Sequence, residues 1–313
     1  MPKNAEKKLL LYKMEVTEGT DPAPVVGTDA ILTRNLDATK WEGDKGVRQL
    51  DGLYAGARPS YYKQIRKPIS FEVEIAGSGV SAVTVPAWMK LNRICGFDAG
   101  VAGGSSVVQT PIFTPIPSAT VYPFYDNLLV NALGCRGNMQ MTFEDDEIPF
   151  FMYNLLGFPP AAMVSESTPG APTLTAFAAP VLVNTANTTF SLGGYSPGLR
   201  KLTIDCGAKI EPRSLTGPAD RIMWRNREMT GSVTIEHPDL TAKNYFTNVI
   251  ARSIQALQII HGTVAGNIVQ IDAARCEIDL PDLSEEQGAL MQTLPLRLLP
   301  TVAGNDELII TSK

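Results

Sequence analysis

The stretch that decides the fold class is Ile69-Ser70-Phe71-Glu72-Val73-Glu74-Ile75, in which polar and apolar side chains alternate strictly. This two-residue period is that of a β-strand, so Phe71 and its apolar neighbours face a core while Glu72 and Glu74 share the opposite face. Two carboxylates at this spacing lie about 7 Å apart, a separation compatible with paired acid chemistry. A sheet with one packed and one solvated face gives the same pattern far more often, and we expect that arrangement here.

The composition of the 313-residue chain also favours a β-rich protein with a sizeable core. Hydrophobic residues make up 44% of the chain, and 23 prolines with 26 glycines interrupt it often, which suits short strands and loops. The net charge of −5 and the isoelectric point near 5.2 argue against a surface that grips nucleic acid. Neutralising phosphates requires clustered Lys and Arg, and we expect any contact of this acidic chain with DNA to be repulsive.

Motifs for metal binding, cofactor binding and nucleophilic catalysis do not occur in the sequence. The cysteines form no CxxC pair, and the only histidines are His237 and His261, so we expect no metal and no cofactor. The Gly-rich segments 76–81 and 101–107 lack the GK[ST] ending of a P-loop. The amino terminus does not resemble a signal peptide, and no run of about 20 apolar residues occurs, so we expect a cytosolic chain without membrane insertion.

The chain contains an internal repeat. Residues 129–155 align without a gap with residues 268–294, and in both segments an alternating apolar run precedes an acidic turn and a second apolar run. Upstream, Arg48–Gly52 parallels Arg213–Gly217, and residues 70–75 parallel residues 232–237. The repeat is too long for a solenoid unit, so duplication of a whole domain is the better explanation.

The matches divide the chain into two similar domains in tandem. We predict a first domain at 1–160, a linker rich in Pro, Ala, Ser and Thr at 161–180, and a second domain at 181–313. The first domain carries a Gly- and Pro-containing insertion at 98–118, which we expect to be an exposed loop. The predicted fold class is mainly β, with two β-sandwich or barrel domains that each carry one flanking helix and long loops.

The two helices have different signals. Residues 240–252 place Tyr245, Phe246, Val249 and Ile250 at helical spacing, with Asp239 or Thr241 as the expected N-cap. Residues 86–95 are a shorter candidate, which Gly96 is expected to end.

Acidic side chains recur on the polar faces of corresponding strands in both repeats. The candidates for a shared acidic face are Glu72, Glu74, Glu236, Glu277 and Asp279. Catalysis by such a pair would need one cleft, one acid with a raised pKa and a means of excluding water. The recurrence favours a surface property over an active site.

Several segments carry a resemblance to a known family. They are TDAILTRNL at 28–36, SFEVEIAGSG at 70–79, PAWMKLNRICGF at 86–97, GCRGN at 134–138 and HGTVAGN at 261–267. Together they resemble the major tail tube proteins of long, non-contractile-tailed bacteriophages, with the tail tube domain duplicated.

The resemblance implies a structural virion protein that has no enzymatic activity. In that family, subunits form rings, the rings stack, and strands of neighbouring subunits join into an inner barrel through which double-stranded DNA passes without specific binding. A duplicated chain is then expected to complete a pseudo-hexameric ring with three copies, and the acidic face is expected to line the bore. A true hexamer is expected if the second half is only a decoration domain.

The resemblance also implies partners and a location. The partners are other copies of the chain, the tape measure protein, and the tail terminator and distal tail proteins; the location is the virion tail, after synthesis in the host cytoplasm. An extended arm at about 9–41 and the 98–118 loop are the candidates for clasping the next ring. The contact residues expected there are Thr28, Asp29, Gly103, Gly104, Ile112 and Phe113.

Two other functions remain open from the sequence alone. A β-sandwich that decorates a phage particle or adheres to a surface would bind without polymerising. A hydrolase that uses Glu72 and Glu74 would turn over a glycan, and the Glu72→Gln substitution would abolish that turnover.

Overall fold

The structure, a computed structural model, describes residues 3–215 and 220–313. Within these ranges the chain forms 22 strands and three short α-helices, and all strand pairings are antiparallel. The predicted mainly β fold class is confirmed. Of the repeat segment 213–217, Thr216 and Gly217 lie outside the described residues.

The strands of the first half are β1 (Lys8–Met14), β2 (Ala30–Ile31), β3 (Arg34–Asp37), β4 (Glu42–Val47), β5 (Ser60–Glu74), β6 (Val101–Gly103), β7 (Ser106–Gln109), β8 (Ala119–Tyr125), β9 (Leu128–Leu129), β10 (Ala132–Glu144), β11 (Phe150–Phe158) and β12 (Ser165–Glu166). Those of the second half are β13 (Thr188–Leu192), β14 (Leu199–Asp205), β15 (Ala208–Arg213), β16 (Arg221–Arg227), β17 (Thr230–Glu236), β18 (Gln255–His261), β19 (Val269–Ile278), β20 (Asp282–Glu286), β21 (Ala289–Leu298) and β22 (Ile309–Ser312). The helices are α1 (Val26–Asp29), α2 (Met89–Asn92) and α3 (Tyr245–Ile250), and a 3-10 turn at Arg93–Cys95 extends α2.

One continuous sheet runs through both halves of the chain. Its strands follow the order β3, β5, β11, β10, β14, β17 and β21, and β21 pairs in turn with β19 and β20. The pairing of β10 with β14 joins the halves, because Gln140 to Glu144 lie opposite Asp205 to Lys201. We call this pairing the internal junction.

The strands of the two halves pair in the same order. In the first half β3, β5, β11, β10, β8 and β1 follow one another, and in the second half β14, β17, β21, β19, β18 and β13 do. A register shift falls between Ala132 and Cys135 in β10, and another falls between Ala273 and Cys276 in β19. The matching shifts make Ala132 equivalent to Ala273. The gapless sequence alignment instead places Ala132 opposite a residue two positions earlier in β19.

The main hydrophobic core lies beneath this sheet and takes side chains from both halves, and a second, smaller cluster lies around Leu11 and Phe124. Phe71 and Met141 of the first half belong to the same buried cluster as Ile204 and Ile259 of the second. In that cluster the ring of Phe71 stacks on Tyr153 with centroids 5.2 Å apart. The boundaries of the two predicted domains stay a prediction, since the halves share their core.

Two loops of the different halves dock against each other. The backbone N–H of Gly77 donates to Asn267 Oδ1 at 2.7 Å, and that of Gly79 donates to the Gly266 carbonyl at 3.0 Å. A Cβ atom on Gly77 would lie 2.3 Å from the Gly266 carbonyl oxygen, so this contact requires glycine.

The predicted insertion at 98–118 is only partly an exposed loop. It forms the β6–β7 hairpin, and β7 pairs with β22 at the carboxyl-terminal end of the described chain. Buried Gln109 holds it in place by accepting from Asn92 Nδ2 at 2.8 Å and donating to the Met89 and Asp98 carbonyls. The prediction missed this because a pairing with β22 leaves no local signal.

The predicted arm at 9–41 differs from the structure in a similar way. Leu10, Leu11 and Tyr12 are buried in β1, which pairs with β8 along its whole length. The apolar run makes this segment a core strand, because an exposed arm would leave those side chains in water.

The helices occupy the predicted segments but differ in detail. Gly96 ends the first helix with a left-handed φ of 96°, as expected. The second is shorter than predicted, and Asn244 caps it by accepting from the Thr247 N–H, whereas Asp239 accepts from the Thr241 N–H in a separate turn. None of the helices in the described ranges has the length and apolar character needed to cross a membrane.

Candidate functional site

The candidate site is the side of the continuous sheet that faces away from the core, which we call the polar sheet face. Along β5 the side chains of Phe71 and Val73 are buried, whereas Glu72 and Glu74 are only half-buried on the other side. Because residues directly opposite each other in a sheet share a face, strand pairing traces this face across the molecule.

Two rows of paired residues run across the polar sheet face. The first row consists of Glu72, Met152, Gln140, Asp205, Thr230, Arg297 and Glu277. The second consists of Glu74, Phe150, Thr142, Thr203, Ser232 and Pro295, and the N–H of Asp279 donates to the Pro295 carbonyl at 2.9 Å.

The structure brings the five predicted acidic residues onto this one face. Glu72 and Glu277 stand near opposite ends of the first row, and Glu74 and Asp279 do so in the second. Glu236 lies on β17 with the same orientation as Ser232, and its side chain is exposed. Sequence reasoning placed these residues on equivalent strands, but the internal junction is what makes their strands one surface.

Not all carboxylates on the face are free. Arg34 Nε donates to Glu72 Oε2 at 2.6 Å, and Asn35 Nδ2 donates to the same oxygen at 3.0 Å. The Arg34 guanidinium also lies 4.3 Å from the centre of the Phe150 ring. Glu72 therefore contributes less negative potential to the face than an unpaired acid would.

A second ion pair on the face was missed from the sequence. Lys201 Nζ lies 2.7 Å from Glu144 Oε2, and the two residues face each other across the internal junction. Glu277 lies directly opposite Arg297 on β21. Within residues 3–215 and 220–313, Glu72 is the one candidate of the five that forms a salt bridge, so the other four carry most of the unbalanced charge, and Glu277 is the one of these that faces a cation across the sheet.

This arrangement does not favour paired acid catalysis by Glu72 and Glu74. Two donors from β3 already occupy Glu72 Oε2, and the two carboxylates lie on a broad sheet face. A hydrolytic pair would need a site that excludes water.

The predicted inter-ring residues lie on three different elements. Thr28 is exposed in α1, and Asp29 in the same helix accepts from the Val25 N–H at 2.8 Å. Gly103 and Gly104 are exposed at the turn of the β6–β7 hairpin.

The other two predicted contacts are engaged within the chain. The Ile112 carbonyl accepts a hydrogen bond from Arg227, and Phe113 packs edge-on against Trp224 with ring centroids 5.9 Å apart. Both partners belong to β16 of the second half. These residues therefore help to hold the two halves together.

An exposed apolar surface escaped the sequence reasoning. The β4–β5 hairpin projects Leu53 and Tyr54 at its tip, with 95% and 83% of their surfaces exposed. The β15–β16 hairpin occupies the corresponding place in the second half, and Leu215 beside it is 61% exposed. The signal available in the sequence was the Leu53-Tyr54 pair in the Gly-containing segment between β4 and β5.

An antiparallel sheet with one packed face, one polar face and unpaired edge strands is the architecture of a β-structural protein whose edges can accept further strands. Comparison with known protein families shows which family of such proteins this chain belongs to. Residues 6–298 match the family model described as phage tail tube protein, and the chain belongs to that family. The resemblance drawn from the short segments is thereby confirmed, and the protein is a structural component of a phage tail that assembles into a tube. No curated protein matches the sequence.

Proposed function

We propose that this chain is the major tail tube subunit and that its copies form stacked rings around a DNA channel lined by the polar sheet face. The observation that carries the proposal is the continuity of this face across both halves through the internal junction. The opposite side of the sheet is occupied by the core, so the polar side is the one left to face a bore.

The charge of the face accounts for DNA passage without binding. Glu74, Glu236 and Asp279 lack cationic partners among the described residues, and Lys201 and Arg297 stand beside acids. Such a wall repels phosphates, so a duplex is not retained as it slides toward the host.

The repeated strand order supports a ring of three copies. Domains at 1–160 and 181–313, joined by the 161–180 linker, would each contribute one unit, and three chains would give a pseudo-hexameric ring. In a relative with one domain per chain, the contact that corresponds to the internal junction would lie between two subunits. In this protein the same contact lies within one chain.

Exposed loops at the ends of the sheet are the surfaces proposed for contact between stacked rings. Thr28, Gly103, Gly104 and the half-exposed Phe113 are candidates for this role, and the tips of the β4–β5 and β15–β16 hairpins join them because they expose apolar side chains. At the tube ends, the same surfaces would meet the tape measure, terminator and distal tail proteins of the virion.

Electron microscopy of the purified chain tests the proposal. We expect rings and stacked tubes, and a class average along the axis should show an open centre with six lobes of density. Size-exclusion chromatography with light scattering should count three chains in each ring. A monodisperse monomer at all concentrations and salt conditions would contradict the proposal, and six chains per ring would contradict its trimeric form.

A further inference from the structure

The part of the sheet that forms the polar sheet face is bounded by two strands with an open edge, β3 and β20. Within the described ranges β3 pairs only with β5, and β20 pairs only with β21. Each edge leaves one row of backbone donors and acceptors without a strand partner, which is a template for pairing with another chain.

The internal junction shows how such edges fit together in this protein. β14 flanks β17 as β3 flanks β5, so β14 and β3 are equivalent. β20 pairs with β21 as the end of β10 pairs with β11, so β20 is equivalent to that end of β10. A contact between β20 of one copy and β3 of the next would therefore repeat the contact between β10 and β14.

The register follows from the pairings that surround each edge. Thr142 lies opposite Thr203 at the internal junction. Ser284 takes the place of Thr142, because Ser284 pairs with Met291 as Thr142 pairs with Phe150. Asp37 takes the place of Thr203, because Asp37 pairs with Ser70 as Thr203 pairs with Ser232.

Apolar side chains are exposed at the open edges where their equivalents are covered at the internal junction. Met141 is fully buried, whereas its equivalent Leu283 is 52% exposed. Leu199, two residues before Lys201, packs against the core, whereas Leu32, two residues before Arg34, is 44% exposed. A strand laid along each edge would remove both leucines from water.

The charged residues at the two edges have opposite signs, as the charged residues at the internal junction do. Glu144 and Lys201 form an ion pair of 2.7 Å across the internal junction. Their equivalents at the open edges are Glu286 and Arg34, which carry the same signs. Within one copy Glu286 pairs with Arg200 and Arg34 pairs with Glu72, and an edge-to-edge contact between two copies would bring these two ion pairs together.

We infer that β20 of one copy pairs antiparallel with β3 of a second copy, with Ser284 opposite Asp37 and Glu286 beside Arg34. This inference rests on the proposed ring, and it identifies the two edges and the register that close it.

Cysteine cross-linking tests the register. The chain's own cysteines, Cys95, Cys135, Cys206 and Cys276, are all buried and leave a low background. A variant with Ser284→Cys and Asp37→Cys should form interchain disulfides in assembled rings, seen as a ladder on non-reducing gels whose largest band counts the copies per ring. The matched control combines Asp37→Cys with Val302→Cys, a fully exposed position, and should stay monomeric on the gel.

The outcomes separate this inference from the proposed function. Tubes of the double-cysteine variant that yield no covalent ladder would overturn the edge pairing and leave the tail tube proposal standing. Failure of the unmodified chain to form rings under any condition would overturn both.

A substitution that does not depend on cysteine tests the same contact. Leu283→Lys changes an exposed side chain, so the monomer should keep its melting temperature while ring formation falls by about tenfold or more. Val302→Lys is the matched control and should assemble normally. Normal ring formation by the Leu283→Lys variant would overturn the inference.

Discussion

Charge reversal on the polar sheet face provides the sharpest test of a repulsive bore. Glu74 and Glu236 are the best positions, because they occupy equivalent places on β5 and β17 and form no salt bridge among the described residues. We predict that the Glu74→Lys, Glu236→Lys variant still folds and assembles but holds DNA inside the tube.

The size of the effect follows from counterion release. Each lysine that neutralises one DNA phosphate contributes about −0.9 to the slope of log K against log salt concentration. Two lysines per chain would therefore make the slope more negative by up to about 1.8 per chain engaged with the duplex. Wild-type tubes, with acids at both positions, should show no measurable binding at physiological salt.

The assay combines purified tubes, a fluorescent duplex and a salt titration, with microscopy to verify assembly. Glu74→Gln with Glu236→Gln separates loss of negative charge from gain of positive charge and should bind far less DNA than the lysine variant. Glu6→Lys, at an exposed position near the amino terminus, tests whether a charge reversal away from the polar sheet face also causes binding, and it should bind none. In phage, the lysine variant should assemble tails yet lose infectivity. Intact lysine-variant tubes that bind no DNA and support full infectivity would refute the lumen assignment.

Three further predictions concern stability. Gly77→Ala should lower the free energy of unfolding, measured by denaturant titration, by about 1–3 kcal/mol, because the new Cβ would clash with the Gly266 carbonyl. The control Gly103→Ala, which has open space around it, should change the free energy of unfolding by less than about 0.5 kcal/mol. Asn92→Ala should cost about 2–4 kcal/mol, because it leaves the Tyr153 hydroxyl and Gln109 Oε1 without their partners, and a melting temperature equal to wild type would contradict this. Burial lowers the pKa of His261 to about 4 from 6.5, so the unfolded chain binds the extra proton and stability should fall by up to about 3 kcal/mol as pH drops from 6.5 to 4. His261→Gln should remove that part of the pH dependence, and an unchanged pH profile in the variant would exclude His261 as its source.

Local sequence patterns were sufficient to predict that the fold is mainly β and which side chains of a strand face the core. Alternation in the segment around Phe71 and Glu72 predicted which face is buried, because the two-residue period of a strand is fixed by backbone geometry. Gly96 signalled the end of a helix through its freedom to adopt positive φ. The family resemblance, confirmed over residues 6–298, came from short segments spread along most of the chain.

Contacts between segments that are far apart in the chain could not be predicted from the sequence. Nothing near Glu144 indicates that it meets Lys201, and nothing near Gln109 indicates that β7 pairs with β22. The start of the extended arm expected at about 9–41 proved to be a core strand for the same reason, since the partner of β1 is β8, more than a hundred residues away. Strands pair through backbone hydrogen bonds, so the side chains of one strand do not indicate which other strand it pairs with.

The sequence by itself determined that this protein is mainly β, and it predicted an internal repeat with acids that recur on corresponding strand faces. Only the tertiary structure decided that β10 pairs with β14, which turns the acids of both halves into one polar sheet face and leaves β3 and β20 as the open edges. The physical reason is that side-chain periodicity is a local property of each strand, whereas the choice of neighbouring strand depends on how the whole core packs.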